Sequence, residues 1–132
     1  MKRIVICVFA VLTAMLICFP DVANRGTDMY INRRISASDA RTKMQENPGA
    51  IILDVRTAEE FATGRIPGAT LLPAHTIRER AHAVLPNKNA LILVYCRSGT
   101  RSQEAACELI SMGYTNVFDF GGIMAWPYER TN

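Results

Sequence analysis

Two uninterrupted β-favouring runs constrain this chain most: Ile51-Ile-Leu-Asp-Val55 and Ala90-Leu-Ile-Leu-Val-Tyr-Cys96. Neither alternates apolar with polar residues, so neither belongs to a sheet with one wet face. Runs of this kind are parallel strands covered by helices on both sides. Helix openings punctuate them at Ser36-x-x-Asp39, Thr57-x-x-Glu60 and Thr76-x-x-Glu79, where a hydroxyl and a carboxylate three residues apart serve unpaired backbone amides. A further helix over Arg101–Met112 is stopped by Gly113. Shorter runs at Ala69–Leu72 and Asn116–Phe120 bring the count to four or five strands. The expected fold is an α/β domain with a mostly parallel central sheet flanked by helices.

In such sheets ligands sit beyond the carboxyl ends of the strands. Asp54 falls near that end of the first run and Cys96 closes the second. Cys96-Arg-Ser-Gly-Thr-Arg101 then joins strand to helix. A short loop of glycine and small polar residues turns its N–H groups inward, and the following helix adds its positive end, so the concavity suits an anion. A cysteine at its edge is held as thiolate. An ordinary thiol is only about 3% ionised at pH 7, and a helix dipole supplies at most ~2 kcal/mol towards changing that. The loop amides and Arg97 and Arg101 must add the rest.

The other cysteines read differently. Cys107 lies in a helix beside Ala105, Ala106, Leu109 and Ile110 without flanking cations, and is expected to be a buried core residue, with a resolving thiol as the alternative. Cys7 and Cys18 sit in Ile4–Phe19, where 15 of 16 residues are apolar. That run follows Met1-Lys2-Arg3 and precedes Pro20, the pattern of a secretory signal or a signal anchor. Its length does not separate cleaved from retained. Lys2 and Arg3 hold the N-terminus on the cytoplasmic side, so the expectation is an exported, periplasmic protein, either soluble or tethered through a segment contacting the inner membrane. The chain thus divides into an export segment (1–19), a polar linker (20–34) and one folded domain (35–132).

Excess charge is small, 15 Lys+Arg against 12 Asp+Glu, and no basic run is interleaved with aromatics, so nucleic acid is not an expected partner. His75 and His82 share a helical face but have no third ligand nearby, and neither a metal nor a cofactor is expected.

These residues resemble the rhodanese family of sulfurtransferases, and the likeness extends beyond the cysteine loop. Asp54-Val-Arg56 with Glu60-Phe61, then Gly64-Arg-Ile-Pro-Gly-Ala69, is similar to the family's D-x-R-x-x-x-E-[FY] and G-H-I-P-G-A motifs, and Gly121-Gly122 followed by Trp126 to its closing G-G-x-x-x-W. The landmarks span about residues 36–130 and look most like small, exported thiosulfate sulfurtransferases of the phage-shock type.

The resemblance implies a single rhodanese-like domain in which Cys96 takes sulfur from thiosulfate or a similar anionic donor and passes it, as a persulfide, to cyanide or a thiol. It implies that the amides of Arg97, Ser98, Gly99, Thr100 and Arg101 line the donor site and that Arg101 grips the sulfonate oxygens. Arg97 is expected to pair with Asp54 or Glu60, while Arg56 is either a salt bridge behind the loop or a substrate contact. The departures are Arg65 in place of the usual His, expected to alter only a surface turn, and Glu60 where some two-domain thiosulfate enzymes carry a cation.

Two other functions fit parts of the pattern. A phosphatase or arsenate reductase would need C-x5-R, and here only four residues separate Cys96 from Arg101. The other is a persulfide carrier or partner-docking rhodanese module with little thiosulfate turnover, serving a sulfur-relay protein; the intact Cys96 and its cations count against complete loss of chemistry.

Overall fold

The computed structural model describes residues 33–132. The export segment and most of the linker lie outside the described residues. Four strands, β1 (Ile51–Asp54), β2 (Thr70–Leu71), β3 (Ile92–Cys96) and β4 (Val117–Gly122), form one parallel sheet in the order β2-β1-β3-β4. Helix α1 (Ala37–Glu46) precedes β1, and α2 (Ala58–Thr63), α3 (Ile77–Val84) and α4 (Thr100–Ser111) carry the three crossovers.

Every residue of β3 is buried, as its unbroken apolar run requires. Its side chains alternate between two cores. Ile92, Val94 and Cys96 join Leu53, Leu85 and Leu109 on one side of the sheet, and Leu93 and Tyr95 join Ile66, Phe120 and Trp126 on the other. This alternation sends the Cys96 side chain towards α4 and Tyr95 to the opposite face.

The helix openings behave unequally. Ser36 Oγ accepts the Asp39 N–H at 3.0 Å. Thr57 and Glu60 make the full reciprocal box, Oγ1 accepting from the Glu60 N–H and the Glu60 carboxylate accepting from the Thr57 N–H. Thr76 does not cap α3. A 3-10 turn over Ala74–Thr76 runs directly into the helix, Thr76 adopts a helical rather than an extended backbone, and its hydroxyl donates to the Pro73 carbonyl at 2.8 Å. α4 starts one residue earlier than the sequence suggests and ends at Ser111, with Gly113 in the left-handed region at φ 94°.

Arg33 and Arg34, at the end of the segment read as linker, lie along β4. Asp119 N–H donates to the Arg33 carbonyl at 3.0 Å and Ile35 N–H to the Asp119 carbonyl at 2.9 Å. Among the described residues no helix is long and apolar enough to cross a membrane.

Candidate active site

The thiol of Cys96 is buried at the carboxyl end of β3, and its Sγ accepts the N–H of Gly99 at 3.0 Å. Gly99 reaches this position with φ 110°, a conformation that disfavours any residue bearing a Cβ, and it is the N-cap of α4. The sulfur therefore sits at the turn's inner side, beside the positive end of a twelve-residue helix. Arg97, Ser98 and Thr100 are exposed around it.

β4 holds the loop from behind. Cys96 and Gly122 are register partners, and the backbones approach so closely that a Cβ on Gly122 would stand 2.2 Å from the Arg97 carbonyl oxygen. That carbonyl also accepts the Met124 N–H at 3.2 Å. The buried Ser102 hydroxyl lies 3.1 Å from the Gly99 carbonyl and 3.3 Å from that of Gly121, so its single proton is shared between loop and strand.

Arg101 stands in the first turn of α4 and donates to Glu60 through Nη1 at 2.7 Å and Nη2 at 2.9 Å. The guanidinium beside it, against a smaller opposing effect of burial, holds the Glu60 carboxyl at about 2, with the Thr57 N–H adding to the lowering. Arg101 is in turn raised by Glu60, and charge on Cys96 adds to the raising. The cation thus lies within electrostatic reach of the sulfur.

Asp54 and Tyr95 are register partners on neighbouring strands, and the Tyr95 hydroxyl donates to Asp54 Oδ2 at 2.7 Å while accepting the Ile66 N–H at 3.2 Å. Arg56, 4% exposed, closes the network: its Nε and Nη2 both donate to the Asp54 carboxylate, and Nη2 also donates to the Gly64 carbonyl at 2.7 Å. Burial pushes the Tyr95 hydroxyl far above its ordinary range, and Asp54 adds to the effect. The salt bridge expected of Arg56 is formed, and the same residue also lines the open groove beside Glu60 and Arg97.

The expected pairing of Arg97 with Asp54 or Glu60 is not made. Arg56 and Arg101 already occupy those carboxylates, and the Arg97 backbone is pinned to β4, which leaves its side chain exposed. It borders an open groove of about 430 Å³ shared with Glu59, Glu60, Met124 and Arg130. Cys107 is exposed rather than buried. The buried stripe of α4 is Ser102, Ala105, Ala106 and Leu109, and Cys107 is turned about 100° from Ala106, onto the outer face. It lies about 10 Å along the axis from Thr100, too far to resolve a bond at Cys96. Partial desolvation, with a contribution from Asp119, raises its thiol above the ordinary value.

Arg65 remains on a surface turn, where it stacks 4.5 Å from the Phe61 ring centroid and donates to the carbonyls of Phe61 and Asn132. Sequence reasoning overlooked Tyr95, Ser102, Asp119 and Arg34. The signal for two of them was present: Ser102 is a lone small polar residue on the apolar stripe of α4, and Asp119 interrupts an apolar strand. Asp119 is fully buried, its Oδ1 accepting the Gly121 N–H at 2.9 Å and its Oδ2 the Arg34 Nη1 at 2.8 Å.

Comparison with known proteins agrees with this geometry. Residues 36–128 match the rhodanese-like domain. A sulfurtransferase of Allochromatium vinosum is 34% identical over 93 residues, covering 70% of this chain and 85% of its own. Thiosulfate sulfurtransferase PspE of Escherichia coli is 37% identical over 71 residues, covering 54% of this chain and 68% of its own. The solved structure of a rhodanese with anions from E. coli superposes with a TM-score of 0.58 at 32% identity, over 63% of this chain and 98% of that one. With a strand-end cysteine whose sulfur meets the Gly99 N–H, the Asp54–Arg56 motif behind it and Gly121-Gly122 beside it, the chain belongs to the rhodanese-like family of sulfurtransferases.

Proposed function

We propose that this protein is a thiosulfate sulfurtransferase acting outside the cytoplasm. The Gly99 N–H directed at Cys96 Sγ, in a loop with only four residues between Cys96 and Arg101, carries this reading. A donor hydrogen there stabilises negative charge on the sulfur, and so short a loop suits one sulfur atom better than a tetrahedral phosphoryl group. The Cys96 thiolate attacks the outer sulfur of thiosulfate. The sulfur–sulfur bond of the donor breaks, and sulfite leaves with the electron pair. The terminal sulfur of the persulfide then passes to cyanide, giving thiocyanate, or to a thiolate, giving a new persulfide, and Cys96 is released as thiolate. The loop amides from Arg97 to Arg101 hold the donor and then the persulfide. Arg97 meets the incoming dianion with an exposed cation, and Arg101 grips its oxygens as it yields its contact with Glu60.

A second reading, a persulfide carrier serving a sulfur-relay protein, is favoured by one observation. Glu60 neutralises Arg101, which weakens the pull of the site on a small dianion. The two readings separate in one experiment on the purified protein. Thiosulfate treatment followed by mass spectrometry adds one sulfur atom to Cys96, with release of sulfite. Cys96→Ser abolishes both and Cys107→Ser leaves both intact. Thiosulfate leaving Cys96 unmodified, with sulfur accepted only from a protein persulfide, supports the carrier. Export through residues 1–19, with the domain in the periplasm, is tested by protease accessibility in spheroplasts.

A further inference from the structure

We propose that Arg34 is a positioning residue for Cys96, acting through Gly99. The proposal rests on the reading of Cys96 as the nucleophile. Gly99 has no side chain, and its backbone alone delivers the N–H that meets Cys96 Sγ. The space a side chain would fill is taken by Arg34: a Cβ on Gly99 would stand 3.0 Å from Arg34 Nη2, and one on Gly121 would stand 3.1 Å from the same atom. One guanidinium thus covers both glycines at the junction of loop and β4.

Its placement is fixed from three sides. The backbone around residue 34 is paired to β4 by the Asp119 N–H to the Arg33 carbonyl and the Ile35 N–H to the Asp119 carbonyl. The side chain donates through Nη1 to Asp119 Oδ2, and the other oxygen of that buried carboxylate holds the Gly121 N–H. Gly121 and Gly99 are then tied through the Ser102 hydroxyl. Arg34, Asp119, Gly121, Ser102 and Gly99 form a closed circuit with Cys96 at its one reactive edge. A planar guanidinium suits this role because it presents one nitrogen to the carboxylate while another lies beside the two glycines. Removing it leaves Gly99, whose left-handed backbone is intrinsically permissive, free to swing its N–H away from the sulfur.

The test is the rate at which iodoacetamide alkylates Cys96 in the full chain at pH 7, read by peptide mass spectrometry, with exposed Cys107 as the internal control. The reagent is neutral, so a cation that merely attracts anionic donors does not alter the rate, and no sulfur donor is needed. The assay therefore stays readable even if thiosulfate is not a substrate. Arg34→Gln is expected to slow Cys96 alkylation about fivefold, as loss of a hydrogen bond to a charged sulfur would, and to slow Cys107, on which the unmasked Asp119 charge also acts, far less. Arg34→Lys, which keeps a cation beside Asp119, should retain about half of the rate. Arg34 is 44% exposed, so both variants are expected to fold, with thermal melting as the check. Loosening of the domain would speed the alkylation of a buried thiol, the opposite sign. A Cys96 rate that is unchanged or faster in folded Arg34→Gln overturns the proposal, as does an equal slowing of both cysteines.

Discussion

Arg101 and Glu60 meet through two hydrogen bonds, 2.7 and 2.9 Å long, across the gap between α4 and α2. The pair sets the loop's last cation against a carboxylate that the α2 capping box already holds in place through Thr57. A two-point contact orients the guanidinium plane, and it also offsets the charge that an anionic donor would meet.

Replacing Glu60 with Gln separates those effects, since an amide oxygen still completes the capping box while the negative charge is gone. The expected outcome for Glu60→Gln is a KM for thiosulfate about threefold lower, with kcat changed little, because binding of the ground state improves more than the chemical step. Steady-state assays with cyanide as acceptor check this. A KM that rises would mean that Arg101 needs Glu60 to stay in position.

The same pair makes a pH prediction. The Glu60 carboxyl is held at about 2, below its ordinary 4.5, so its contribution to stability is complete above about pH 4.5 and is lost as the pH falls through about 2. Both side chains are partly exposed, so the contribution is about 1 kcal/mol or less. Thermal melts of wild type and Glu60→Gln should differ most near neutrality and converge near pH 2. Parallel curves down to that pH would remove Glu60 as the cause.

The sheet, the place of Cys96 and the turn after it are legible in the sequence because each has a local cause. The unbroken run Ala90–Cys96 can only be covered on both faces, and Gly99 marks the sharp entry into α4. Which arginine pairs with which carboxylate has no local cause. Asp54 takes Arg56, two residues away, while Glu60 takes Arg101, forty-one residues away, and nothing in their spacing excludes Arg97. The exposure of Cys107 is hidden in the sequence for a related reason: four apolar neighbours on a helix do not fix which side of the stripe a residue falls on when Ser102, a polar residue, is itself buried.

Asp54 is the hub of the buried network behind the loop, accepting from the Arg56 backbone and side chain and from Tyr95. Asp54→Asn leaves the buried Arg56 cation without its counter-charge and should cost about 3 kcal/mol or more. Tyr95→Phe removes one hydrogen bond and the acceptor of the Ile66 N–H, for about 1 to 2 kcal/mol. The double variant should lose less than the sum, since both changes dismantle one network. Urea unfolding of the three variants measures the cycle, and strict additivity would argue that Tyr95 and Asp54 act independently.

Gly122 gives the most local prediction of all. Its backbone is ordinary extended chain, φ −113° and ψ 147°, so alanine meets no conformational penalty there. The obstacle is contact alone: the added Cβ would stand 2.2 Å from the Arg97 carbonyl oxygen and 2.7 Å from Ser98 Cα. Backbone on both sides must separate, and the segment that moves carries the loop between Cys96 and Gly99. Gly122→Ala should therefore lower the rate of Cys96 sulfuration by about tenfold or more, as displacement of a reacting group does. Melting should show a domain that still folds, destabilised by about 1 to 3 kcal/mol as overpacked sites are. Single-turnover sulfite release from thiosulfate provides the rate. Wild-type release from a folded Gly122→Ala protein would show that the close approach of β4 does not set the position of the sulfur.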